Sequence, residues 1–186
     1  PFIAKQLIQK LVTSNPTPAY VQRVAEKFNN DGSGVRGNLA AVVKAILLDA
    51  EARNAPSGSA TATAGKLKEP LLRLTQFWRA YGATSASGKL GAARNFSGGA
   101  FNVFGEAPGQ SPSVFNFYSP FYAPPGEIAN ANLVAPELQL STEYLVAQQA
   151  NFYYTQAFAR THMQAATLTA DDVYINVTDE LGVATD

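Results

Sequence analysis

Proline, glycine and asparagine cut the first 81 residues into short amphipathic stretches, and this punctuation constrains the fold more than any other feature of the chain. Residues 2–13 carry Ile3, Leu7, Ile8, Leu11 and Val12 at helical spacing, with Lys5, Gln6, Gln9 and Lys10 opposite. Asn15-Pro16-Thr17-Pro18 ends this helix. Thr17 is placed to cap the next one, with Pro18 at its first position. The second helix, over 18–29, puts Val21, Val24, Ala25 and Phe28 on one face. A turn-rich loop runs from Asn29 to Gly37, and Asn38 caps a third helix reaching Leu48, whose stripe is Leu39, Val42, Val43, Ile46 and Leu47. Stripes this small do not hold a helix in water alone. The three helices are therefore expected to pack antiparallel as a local bundle. After a loop over 54–65 without bulky side chains, Leu67, Leu71, Leu74, Trp78 and Tyr81 predict a fourth helix over 67–81, with Pro70 harmless in its first turn.

Beyond Tyr81 the pattern changes. Residues 82–135 read as loop and aromatic coil. Phe101, Phe104, Phe115, Phe117, Tyr118, Phe121 and Tyr122 are interleaved with Asn, Ser and Gly, and Pro108, Pro112, Pro120, Pro124 and Pro125 forbid a long helix. The rings are expected to plug into the helical core. A long helix is predicted over 136–163, with Leu138, Leu145, Phe152 and His162 as inward positions. Residues 164–186 form an acidic, irregular tail in which the alternation of Val173, Ile175 and Val177 allows one short strand. The expected fold is mainly α: a single unit over 1–186, a helical bundle with a long aromatic-rich ordered coil packed against it.

Composition narrows the chemistry. Lys plus Arg and Asp plus Glu are 14 each, so no general attraction to nucleic acid or anionic membrane is expected. Charged residues make up 15% of the 186 residues, against roughly 25% in an average domain, so Ser, Thr, Asn, Gln and Gly must supply the polar surface. There is no cysteine and one histidine, which excludes disulfides, thiol nucleophiles, Cys-ligated zinc and any two-histidine site within this chain. No apolar run approaches the ~20 residues that span a membrane.

Few motifs point to a reaction. Gly32-Ser33-Gly34-Val35-Arg36-Gly37 matches the dinucleotide fingerprint as a string, but a helix precedes it and no βαβ pattern surrounds it. Glycines supplying φ > 0 in a helix–helix turn account for it. Asn29-Asn30-Asp31-Gly32-Ser33 resembles a calcium loop, yet aligning Gly32 with that loop's glycine puts Lys27 and Asn38 where carboxylates are required. No G-x-S-x-G elbow supports a Ser-His-Asp triad. His162 with Asp171 and Asp172 is the one polar constellation to carry forward. The aromatic residues Phe115, Phe117, Tyr118, Phe121 and Tyr122 are the main candidate interaction surface, through stacking on a sugar or packing on a protein. No cofactor or metal site is expected.

Taken in order, several segments resemble the C-terminal half of the bacterial "domain of unknown function 1800" family. They are Phe2 to Val21, Gly34 to Asp49, Lys68 to Thr75, Ser113 to Pro120 with Pro124-Pro125-Gly126, and Val134 to Leu140. The resemblance covers about residues 2–145. It implies a predominantly helical, exported bacterial protein, often encoded beside another uncharacterised exported protein. No catalytic residue can be carried over, because the family's role is not established and its polar, histidine-containing motifs belong to the upstream half. Asn38 stands where the family commonly has Asp, and both cap a helix. Segments 54–65 and 151–154 look particular to this chain. The chain opens Pro1-Phe2-Ile3 without an initiator Met, and is expected to be a piece of a longer protein.

The functional expectation is a non-catalytic scaffold, held to the rest of its parent chain or to a protein partner through aromatic surface. One alternative is the pocket wall of an exported enzyme whose catalytic groups lie upstream. The other is a carbohydrate-binding surface on Phe117, Tyr118, Phe121 and Tyr122.

Overall fold

The computed structural model describes residues 1–58, 63–91, 100–159 and 169–183. It is mainly α-helical, and its contacts divide the chain into two compact units, one of Pro1–Leu67 with Ser119–Gln139, the other of Lys68–Tyr118 with Leu140–Asp186.

In the first unit, α1 (Phe2–Leu11), α2 (Pro18–Asn29) and α3 (Leu39–Leu48) pack on one another, and the single turn α4 (Ala50–Arg53) follows α3. The predicted punctuation operates as expected. The Thr17 hydroxyl accepts from the Tyr20 amide at 3.2 Å, Pro18 opens α2, and Asn38 Oδ1 accepts from the Ala41 amide at 3.3 Å. Ala4, Ile8, Tyr20, Val24, Ala25, Val42 and Ile46 form the core. Tyr20 is fully buried, and its hydroxyl donates to the Ile46 carbonyl at 2.6 Å, tying α2 to α3. Burial, then the charges of Asp49 and Glu51, push this phenol up to about 12, so it remains a donor across the ordinary pH range. The segment 119–139, with the short α7 (Glu127–Asn130), closes against the bundle. Asn15 acts there as a substitute peptide group: its Nδ2 donates to the Val134 carbonyl and its Oδ1 accepts from the Val134 amide, both at 2.9 Å.

In the second unit, α5 (Pro70–Ala80) and α6 (Ala100–Phe104) contribute to a core with the chain near Val173. Leu74, Trp78, Val103, Phe104, Ala107, Val173 and Ile175 are its buried members. The fourth helix is shorter than the 67–81 predicted, because Pro70 takes the first helical position and leaves Leu67 outside. The long helix expected over 136–163 is broken. Pro136–Leu140 is a 3-10 turn, Thr142 restarts the chain as an N-cap for α8 (Glu143–Tyr154), and Thr155–Ala159 continues as a π turn. Thr142 can cap because its hydroxyl accepts from the Leu145 amide at 3.3 Å, a bond that ends helical geometry behind it. Residues 160–163 of the expected helix lie outside the described residues. The alternation at Val173 to Val177 yields no strand, only an isolated antiparallel bridge between Thr84 and Tyr174. Val173 and Ile175 are buried in the core of the second unit, and Val177 is half-buried against it. The tail is not irregular throughout: the short helix α9 (Thr178–Val183) forms there.

Candidate functional site

The aromatic coil divides by burial. Phe104 sits at the end of α6 and is fully buried, with its ring edge-on to Phe152 at 5.5 Å. Tyr118 is buried as well, and its hydroxyl bonds to the Glu69 carboxylate. Phe117 is half-buried. Phe115 is not a plug: it is 77% exposed and its neighbour Val114 is 95% exposed. They form the tip of a tight turn. The Asn116 amide donates to the Ser113 carbonyl at 3.2 Å, the Phe115 amide donates to Ser113 Oγ at 3.1 Å, and Ser111 Oγ donates to the Ser113 carbonyl at 2.6 Å. Asn116 takes φ of 78°, the left-handed conformation Asn tolerates better than most residues. The turn thus holds two apolar side chains out in water with its own hydrogen bonds. In the first unit Tyr122 is half-buried, while Phe121 is exposed and its ring lies 5.9 Å from the Lys5 ammonium.

A second apolar surface was missed in the sequence. The α3 stripe was read as a core face, but only Val42 and Ile46 are fully buried, whereas Leu39, Leu47 and Leu48 are exposed. Lys44 is the one charged residue of this helix. A helix apolar on nearly every side is usually covered on every side.

The glycine-rich loop is a structural turn. Gly32, Gly34 and Gly37 all have positive φ. The Asp31 carboxylate faces inward: Oδ1 accepts from the Ser33 amide, the Ser33 hydroxyl and the Val35 amide, and Oδ2 accepts from the Asn38 side chain at 2.9 Å. Asn38 thus links the loop to α3, which it also caps. The Asn38 bond first, then those from Ser33, hold the Asp31 carboxyl well below the usual carboxylate range. A value lowered by folding means that the loop's stabilisation is complete above the ordinary value of 3.8 and is lost as pH falls below it toward the folded value. The Asp31 carboxyl resonance, followed by NMR, is expected to titrate well below 3.8. In Asp31→Ala, the loosening of the Ser33 and Val35 amides should already be present at neutral pH and no longer depend on acid.

The polar candidates fare differently. His162 lies outside the described residues. Asp172 Oδ2 accepts from the Thr169 amide at 2.7 Å and from its hydroxyl at 3.0 Å, closing a local turn, and Asp171 is half-exposed beside it. Among the described residues no group of three His, Asp or Glu side chains is arranged to hold a metal ion. No described helix is long and apolar enough to cross a membrane. Periodicity also gave no sign of a buried ion pair, Lys66 Nζ to Glu137 Oε1 at 3.0 Å, which joins distant parts of the first unit.

These features define a mainly α-helical protein with an exposed apolar tip and no evident reactive centre among the described residues. The family described as "Protein of unknown function (DUF1800)" matches residues 1–180, and the chain belongs to it. No curated protein and no solved structure matches the chain.

Proposed function

We propose that this chain is the non-catalytic scaffold and interaction part of an exported bacterial protein, corresponding to the C-terminal half of its family's domain. The observation that carries this reading is the Val114–Phe115 tip, 95% and 77% exposed on a turn fixed by three hydrogen bonds. An ordered apolar projection loses little conformational entropy when it enters a partner's pocket. The outward leucines of α3 support the same reading, as surface suited to a protein rather than to a sugar. Burial of Tyr118 removes one ring from the carbohydrate platform, and the Asp172 bonds to Thr169 count against Asp172 as a reactive acid in an enzyme wall.

The test is a photo-crosslinking residue at Phe115 in the complete natural protein in its own cells, with Gln110, an exposed residue earlier in the same loop, as control. A single defined protein adduct, or an internal crosslink to the remainder of the parent chain, is expected at position 115 and absent at position 110. Equal labelling at both positions, or turnover of a small molecule by the chain alone, would sink the proposal.

A further inference from the structure

We infer that the second unit binds a small carboxylate between α5 and α8, on Arg73, Gln149 and Tyr153. This is independent of the docking reading. Arg73 Nη2 donates to Gln149 Oε1 at 2.8 Å, linking the two helices. Three buried atoms on these two residues and on Tyr153 have no hydrogen-bond partner: Arg73 Nε, Gln149 Nε2 and the Tyr153 hydroxyl. Gln149 and Tyr153 are one helical turn apart and so share a face of α8. On α5, Phe77 lies one turn beyond Arg73, and its ring meets Tyr153 edge-on at 5.3 Å. The three groups therefore lie close together.

All three can donate. Nε of Arg73 and Nε2 of Gln149 can do nothing else, and the Gln149 acceptor is already engaged. Burial pushes the Tyr153 phenol up, against a smaller opposing effect of the Arg73 charge, so near neutral pH it too carries its proton. Buried donors are costly unless an acceptor reaches them, and here several adjoin one guanidinium.

The same chain shows what the Nε–Nη2 edge of an arginine prefers. Arg23 places it on Asp49 with two bonds of 2.7 Å. Arg73 pairs with no carboxylate among the described residues; its Nη2 rests on a neutral amide oxygen instead. One guanidinium flanked by two neutral donors matches a single negative charge, hence a carboxylate rather than a doubly charged phosphate. Phe77 and Phe152, packed on Tyr153 at 5.3 and 5.5 Å, make the surroundings apolar, so an acid with an aromatic or aliphatic body fits best.

The full chain, with nitrogen-15 in its arginines, is titrated with sodium benzoate, sodium acetate and inorganic phosphate at constant ionic strength. The Arg73 Nε–H resonance is expected to shift saturably with both carboxylates, benzoate binding more tightly than acetate, and not with phosphate. Tyr153→Phe keeps the ring packing and should weaken benzoate by about tenfold, the equivalent of one hydrogen bond. Arg73→Gln should abolish saturable binding. Should that variant fail to fold, Tyr153→Phe decides. Absence of a saturable shift, an equal response to phosphate, or unchanged benzoate affinity in Tyr153→Phe overturns the inference.

Discussion

Lys66→Met is expected to destabilise the protein by about 3–5 kcal/mol, the usual cost of leaving a buried charge without its partner. The Glu137 side chain is 2% exposed, and Lys66 Nζ at 3.0 Å is its ion-pair partner. Its other oxygen, Oε2, is buried and accepts no hydrogen bond. Removing the ammonium would strand the whole carboxylate. The opposite change, Glu137→Gln, should cost less, because Lys66 Nζ keeps its bond to the Lys10 carbonyl at 2.9 Å and its side chain is more exposed, at 13%. Replacing both, as Lys66→Met with Glu137→Leu, should recover most of the loss, since an apolar pair needs no compensation. Urea unfolding followed by circular dichroism measures all three. Equal destabilisation by the double variant and by Lys66→Met would show that the cost is one of packing rather than of charge.

Phe104→Ala should cost about 3–5 kcal/mol, the range for emptying a buried aromatic position. Phe104 is fully buried among the core residues of the second unit, and it makes ring contacts with Phe152 at 5.5 Å and Tyr153 at 6.5 Å. The next residue, Gly105, has φ of +71° and packs so closely on Leu145 that a Cβ there would come within 2.8 Å of Leu145 Cδ1. The fluorescence of Trp78, in the same cluster, reports this unfolding transition. Phe115→Ala is the contrasting variant: at 77% exposure it should change stability by less than about 0.5 kcal/mol. Similar losses from both substitutions would contradict the division of the aromatic segment into plug and tip.

That division shows where sequence reading succeeds and where it stops. Local rules were legible. Thr17, Pro18, Asn38 and Pro70 act within a turn of their own position, and all four mark helix starts. The mainly helical class followed from these starts and the stripes behind them. Thr142 obeys the same rule but was hidden in an apolar-rich stretch that reads as continuous helix. Periodicity names the face of a helix that is apolar and is silent on how much of it is covered. For that reason Leu39 and Leu47 were placed with Val42 and Ile46, and the structure separates them. Phe104 and Phe115 have similar neighbours in composition. A helical turn carries the first inward, and a Ser113 hydrogen-bonded turn carries the second outward. The pairs Lys66–Glu137 and Arg73–Gln149 join residues far apart in the chain, where no spacing rule applies.

The first unit is assembled from two stretches of chain separated by the whole of Lys68–Tyr118. During synthesis, α1 to α3 therefore emerge well before the segment that brings Val134 to Asn15 and Glu137 to Lys66. About seventy residues intervene, which a ribosome adds in roughly 4–14 seconds at ordinary bacterial speed. Throughout that delay, in the nascent chain, Lys66 lacks its carboxylate partner and Asn15 the peptide group it pairs with. This is the window in which a chaperone would find it, and the stage at which premature termination would release a product unable to finish folding.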